Sequence, residues 1–114
     1  MRFSFDVMKA GKIGGFALAF ACAAAAAQSP QEQFTPEQIK KGAGIYAQNC
    51  SPCHGARMAD PNSAFDLRMF PPDQKNRFVN SVTKGKNSMP PWGDLFQPDE
   101  IEALWAYVIA GEKQ

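Results

Sequence analysis

The sequence predicts a small all-α domain, and three observations carry that expectation. Three stretches place apolar residues at helical spacing, each with its own start or stop signals. No stretch shows the alternation of a strand, and no internal repeat is present. Two long connections rich in proline separate the helices. A length of 114 residues allows one domain. The chain carries 12 Lys+Arg against 11 Asp+Glu, a net charge of +1, and lacks the strongly basic balance of a dedicated nucleic-acid binder. With 45% hydrophobic and 20% charged residues it is globular rather than disordered. Its 3 cysteines are too few for a disulfide scaffold, and its 1 histidine excludes any site that needs two imidazoles from one chain.

Residues 1–27 read as a secretory signal peptide. Arg2, Lys9 and Lys12 form a basic start, and an uncharged run follows from Ile13 to Ala27. That run ends in Ala25-Ala26-Ala27, a small-residue pattern that predicts cleavage before Gln28. It is also shorter than the ~20 apolar residues of a spanning helix, so no membrane span is expected in the mature form. A second reading takes Ala19-Phe20-Ala21-Cys22 as a degenerate lipoprotein signal that leaves Cys22 acylated. Otherwise Cys22 is lost with the leader. Residues 28–34 then form a flexible N-terminal segment, and 35–112 form the domain. Export implies a periplasmic, oxidising compartment, in which the neighbouring thiols Cys50 and Cys53 need a chemical explanation.

The first helix opens at Thr35-Pro36-Glu37-Gln38, with Thr35 as cap, Pro36 at the first helical position and Gln38 closing a capping box. Ile39, Ala43 and Tyr46 share one face. Gly42 and Gly44 each weaken this helix by up to ~1 kcal/mol relative to alanine, which suggests a backbone that approaches something closely. Residues 55–72 read as a loop with a short turn near Ser63 to Leu67. Asp73 is expected to cap a second helix carrying Phe78, Val79 and Val82, with Gly85 as its stop. A further irregular stretch, Lys86 to Gln97, precedes the last helix. Pro98 starts that helix, Asp99 and Glu100 complement its positive end, and Gly111 ends it. Ile101, Leu104, Trp105 and Val108 form its apolar stripe. So small an all-α domain has a thin core and calls for a staple, a metal or a cofactor.

Cys50-Ser51-Pro52-Cys53-His54 is C-x-x-C-H, the attachment signature of c-type haem. Two thiols three positions apart can add to the two vinyl groups of one porphyrin edge, and the next residue can bring an imidazole to the iron. Cys50 and Cys53 are thus expected to become thioethers and His54 the proximal ligand. A zinc site usually takes four N/S ligands, and the mature chain offers three. A thioredoxin-like pair normally sits near a βαβ pattern, which is absent. With His54 used, Met58, Met69 and Met89 remain as soft donors. Met58 follows His54 too closely to reach the other face of a ring. Met69 serves equally well as packing. Met89 follows a helix stop and precedes two stiffening prolines, and His/Met is a known cytochrome c pairing, so Met89 is the expected sixth ligand.

Over 35–112 the chain resembles the class I cytochromes c in three blocks: Gly42-x-x-Ile45-Tyr46 before the motif, Gly85-Lys86-Asn87-Ser88-Met89-Pro90-Pro91, and Leu104-Trp105-Ala106-Tyr107-Val108. The resemblance implies N- and C-terminal helices crossing around a covalently bound haem, with long irregular loops. It implies that Gly42 and Tyr46 meet Leu104 and Tyr107, and that Val108 faces the haem. It also implies a proline carbonyl holding the proximal imidazole, for which Pro61 is the nearest candidate. Trp92, Trp105, Phe65, Phe70, Phe78 and Phe96 are expected around the macrocycle. Arg57, Arg68, Lys84 and Lys86 are candidates for a basic docking rim.

These readings lead to a monomeric, monohaem electron carrier of the periplasm rather than an enzyme, since no acid–base pair or substrate pocket is evident. Its partners are expected to be redox proteins: a donor dehydrogenase, of the quinoprotein alcohol dehydrogenase class by resemblance, and an acceptor oxidase or cytochrome. Two alternatives compete with the carrier. A weakly held Met89 would leave an iron that binds diatomic gases, and permanent association would make the chain a haem subunit of a larger oxidoreductase.

Overall fold

A computed structural model describes residues 32–112, together with Gly11, Gly14 and Gly15. The leader, its cleavage point before Gln28 and Cys22 lie outside the described residues. Contacts divide the chain into Met1–Gln31 and Glu32–Gln114, and the second unit is the domain. Its helices are α1 (Pro36–Asn49), α2 (Ser51–His54), α3 (Lys75–Lys84) and α4 (Pro98–Ala106), with a wider π turn over Tyr107–Gly111. Short 3-10 turns occupy Ala56–Met58 and Leu67–Met69. The domain is all-α, and the only strand-like pairing among the described residues is the isolated bridge Lys86–Met89.

Local chemistry sets both ends of the helical frame. The Gln38 N–H donates to Thr35 Oγ1 at 3.1 Å, and the Thr35 N–H donates to Gln38 Oε1 at 2.9 Å, the reciprocal cap expected for α1. At α4 the Gln97 N–H donates to Glu100 Oε2 at 2.8 Å, with Pro98 following the cap. Helix α3 begins later than expected. The Gln74 N–H donates to the Pro71 carbonyl at 3.1 Å, so Asp73 is spent in a turn and Gln74 stands at the cap without a side-chain hydrogen bond. Gly85 ends α3 with φ 73, a conformation that costs an L side chain about 1–2 kcal/mol. The turn placed near Ser63 to Leu67 falls instead at 61–64, where the Ala64 N–H reaches Pro61 O at 2.9 Å, and again at Leu67–Met69.

Helices α1 and α4 cross at Gly42. A Cβ there would lie 1.9 Å from the Ala103 carbonyl oxygen and 2.8 Å from Tyr107 Cβ. Gly44 faces open space, so only one of the two glycines is demanded by packing. Beyond the crossing, the Tyr46 and Tyr107 rings meet at 5.1 Å between centroids. Phe70, Phe78 and Trp105 form a mutual aromatic cluster with centroids 5.3–5.9 Å apart. Tyr46, Leu104, Trp105, Tyr107 and Val108 are all buried, and each such large side chain contributes about 1.5–3 kcal/mol. The core therefore sits between α1 and the 101–108 stretch, and α3 closes one side of it.

Candidate functional site

The site begins with the short helix after α1. Cys50 ends α1 and precedes α2, whose single turn brings Cys50, Cys53 and His54 to the wall of one cavity of about 630 Å³. That volume lies within the ~300–1,000 Å³ of ligand-binding cavities. Both cysteines are free thiols. Burial, and then the neighbouring Cys53, push the Cys50 thiol up to about 11, so this sulfur is held neutral rather than as a thiolate. A half-buried neutral sulfur suits a thioether, which carries no charge to desolvate. Among the described residues no three His, Cys, Asp or Glu side chains are placed to hold one metal ion.

His54 is oriented by a backbone carbonyl. Its Nδ1 lies 3.1 Å from Phe65 O. With Nδ1 donating there, Nε2 is the ring nitrogen left with a lone pair for a ligand bond. The expected partner was Pro61. That carbonyl instead accepts the Ala64 N–H at 2.9 Å, because the turn at 61–64 carries the chain past it and brings Phe65 to the imidazole. A backbone carbonyl has no residue signature, so the sequence contained no signal for this contact.

The loop after His54 is pinned by Tyr46. Its hydroxyl donates to Gly55 O at 2.6 Å and lies in reach of the Met58 backbone N–H. Burial pushes the Tyr46 phenol up to about 12, so it is a neutral donor throughout the ordinary pH range. Arg57, Met58, Asp60 and Asn62 all take positive φ between 52 and 60, an unusual run for residues other than glycine.

A strap after α3 completes the cavity. Lys86 and Met89 exchange backbone hydrogen bonds of 3.1 and 2.9 Å across a tight turn. The Trp92 N–H reaches Val82 O at 2.8 Å and the Gly93 N–H reaches Thr83 O at 3.2 Å, tying the strap to the end of α3. Of the three described methionines, only Met89 lines the cavity. Met58 is packed in the core, and Met69 is 72% exposed.

The apolar wall agrees with expectation in most places. Leu104 and Val108 line the cavity from the C-terminal helix, and Phe65, Phe70, Phe78, Trp92 and Phe96 line it from the loops and α3. Trp105 does not. It is buried in the core, and its Nε1–H donates to Glu32 Oε2 at 2.8 Å. Two members of the candidate basic rim are already paired, Arg57 with Glu112 at 3.1 Å and Arg68 with Asp66 at 2.9 Å. Arg77, which sequence reading did not single out, does line the cavity.

The residues therefore fit a haem c: an apolar cavity, two adjacent thiols, an oriented imidazole and one thioether in a common lining. Residues 37–108 match the protein family described as "Cytochrome C oxidase, cbb3-type, subunit III". The chain is 35% identical over 74 residues to cytochrome c6 of Microcystis aeruginosa, covering 60% of this chain and 91% of that one. It is 32% identical over 80 residues to the quinohemoprotein alcohol dehydrogenase ADH IIB of Pseudomonas putida, covering 68% of this chain and 12% of the relative. It is 36% identical over 76 residues to the cbb3-type cytochrome c oxidase subunit FixP of Azorhizobium caulinodans, covering 60% of this chain and 26% of the relative. The chain thus spans a small part of the dehydrogenase and nearly the whole of the cytochrome c6. With a haem-sized cavity behind a C-x-x-C-H turn and a family match that runs from α1 into the last helix, the chain belongs to the cbb3-type cytochrome c family and is a monohaem class I cytochrome c domain.

Proposed function

We propose that the domain is a one-electron carrier, holding a single haem c through Cys50 and Cys53 with His54 and Met89 as axial ligands. The observation that supports this best is the shared cavity wall of these four residues, from which Met58 and Met69 are absent. Haem c, when bound, supplies a reversible one-electron iron couple. The protein's own share is positional. Phe65 O holds the imidazole through Nδ1, the strap presents the Met89 thioether, and the apolar lining excludes water. A thioether favours the reduced metal, and burial raises the cost of the extra charge of the oxidised one, so both act toward a high potential.

The proposed setting is the periplasm, after removal of the leader. Among the described residues no helix is long and apolar enough to cross a membrane. The proposed donor is a quinoprotein dehydrogenase and the acceptor a terminal oxidase or another cytochrome. Matching segments within a quinohemoprotein alcohol dehydrogenase and within an oxidase subunit support those two classes. They equally favour a second reading, in which this domain remains bound to a larger oxidoreductase; size exclusion of the native protein separates the two.

The ligand set is tested on the purified ferric protein. Wild type is expected to keep its pigment through acidic acetone and to show the weak near-infrared band of a sulfur–iron bond. Met89→Ala is expected to lose that band, admit carbon monoxide in the ferrous state and fall in reduction potential, while Met69→Leu changes none of these. Loss of the band in Met69→Leu but not in Met89→Ala would overturn the ligand assignment. Immediate carbon monoxide binding by wild type would replace the carrier by a gas-binding centre.

A further inference from the structure

The three described arginines do not share one environment. Arg57 is paired with Glu112, and Arg68 is paired with Asp66. Arg77 has no carboxylate partner among the described residues, although it lines the cavity. It is nevertheless held in place. Its Nη1 donates to Gln74 Oε1 at 2.6 Å, and its guanidinium carbon lies 5.0 Å from the Phe70 ring centroid and 5.7 Å from that of Phe65. Both rings line the same cavity. A guanidinium laid over aromatic faces loses little further freedom when it binds, and its remaining N–H groups keep the fork that matches a carboxylate.

The charge of the cavity wall points the same way. Among the described residues Arg77 and Lys86 are its only Lys or Arg residues, and no Asp or Glu lines it, in a chain with 11 acidic residues. A haem carries two propionate carboxylates, which an apolar cavity cannot hold unpaired without a large desolvation cost. Lys86 supplies positive charge on a flexible stem, with no ring or amide to orient it among the described contacts. We propose that Arg77 is the residue that binds a haem propionate, an inference that rests on the haem reading above. Phe65 would then serve twice: its carbonyl holds His54, while its ring supports the guanidinium that anchors the same haem.

The test uses the full chain, matured with its haem and checked for covalent pigment. In the ferrous wild type, nuclear Overhauser contacts are expected between a propionate methylene and the side-chain protons of Arg77 or the Phe65 ring. Arg77→Gln removes a positive charge near the iron and favours the oxidised state, so at fixed ambient potential its reduced-to-oxidised ratio should fall about threefold. Arg77→Lys should recover most of that fall. Lys84→Gln, which removes the same charge from the same helix outside the cavity wall, should leave the ratio close to wild type. Haem-loaded Arg77→Gln that behaves like Lys84→Gln, or a wild type without the Overhauser contacts, overturns the inference alone. A wild type without covalent haem overturns the haem reading and this inference together. If Arg77→Gln fails to mature, the wild-type contacts decide.

Discussion

The carbonyl oxygen of Ala103 occupies the space that a side chain on Gly42 would need, 1.9 Å from an ideal Cβ. The contact is backbone to backbone, so no rotamer change can relieve it, and the two helices would have to separate. Gly42→Ala is expected to destabilise the domain by about 3 kcal/mol, read as a lowered urea midpoint. Gly44→Ala, in open space, is expected to be neutral or to stabilise by up to ~1 kcal/mol. Equal effects of the two would show that the crossing is not as tight as described.

Tyr46 is expected to matter through its hydroxyl as well as its ring. Tyr46→Phe keeps the packing against Tyr107 but leaves Gly55 O without its 2.6 Å donor. Gly55 O keeps the Met58 N–H at 3.2 Å, so the cost should be about 0.5–1.5 kcal/mol. Faster amide exchange should be confined to the 55–62 loop, whose positive-φ residues need an external hold. Uniformly faster exchange across α4 would instead assign the loss to packing.

Acid should weaken the contact that closes the N-terminal side. Glu32 bonds Lys75 and accepts the Trp105 indole N–H at 2.8 Å. The hydrogen bond from Lys75, with help from Trp105, holds the Glu32 carboxyl below its usual value of 4.5. A carboxylate depressed in the folded state contributes stability above its unfolded pKa, and that contribution is lost as pH falls through the folded value. Glu32 is half exposed, so Glu32→Gln should cost under ~1 kcal/mol at pH 7. The difference should shrink as pH falls below 4.5 and be lost below the depressed folded value. Glu32→Ala also strands the indole N–H of a buried tryptophan and should cost about 1–3 kcal/mol. A wild-type advantage over Glu32→Gln that does not shrink between about pH 7 and about pH 3 would contradict this linkage.

Docking to an acidic partner is expected to depend on the lysines that α3 and the strap leave unpaired. Arg57 and Arg68 already face carboxylates, which leaves Lys84 and Lys86 of the original group. Exposed charges are screened beyond ~8 Å at physiological salt. Electron transfer should therefore slow with ionic strength, and slow further in Lys84→Glu with Lys86→Glu, without a change in the absorption spectrum. A flat salt dependence would return both lysines to ordinary surface charge.

What the sequence determined by itself was whatever is encoded within a turn or two of chain. The Thr35–Gln38 box, the Pro98 start, the Gly85 stop and the C-x-x-C-H turn are such features, because each depends on neighbours at fixed short spacing. The apolar stripe Ile101, Leu104, Trp105 and Val108 was legible for the same reason, since helical periodicity makes all four face the core. Tertiary structure decided the rest. It sent Phe65 rather than Pro61 to the imidazole and moved Trp105 out of the cavity wall into the core. It placed Arg77 over two phenylalanine rings from different parts of a loop. In each case the partner is a carbonyl, a cavity wall or an aromatic face reached through irregular chain. The path of such a loop depends on what it packs against, and no local spacing records that.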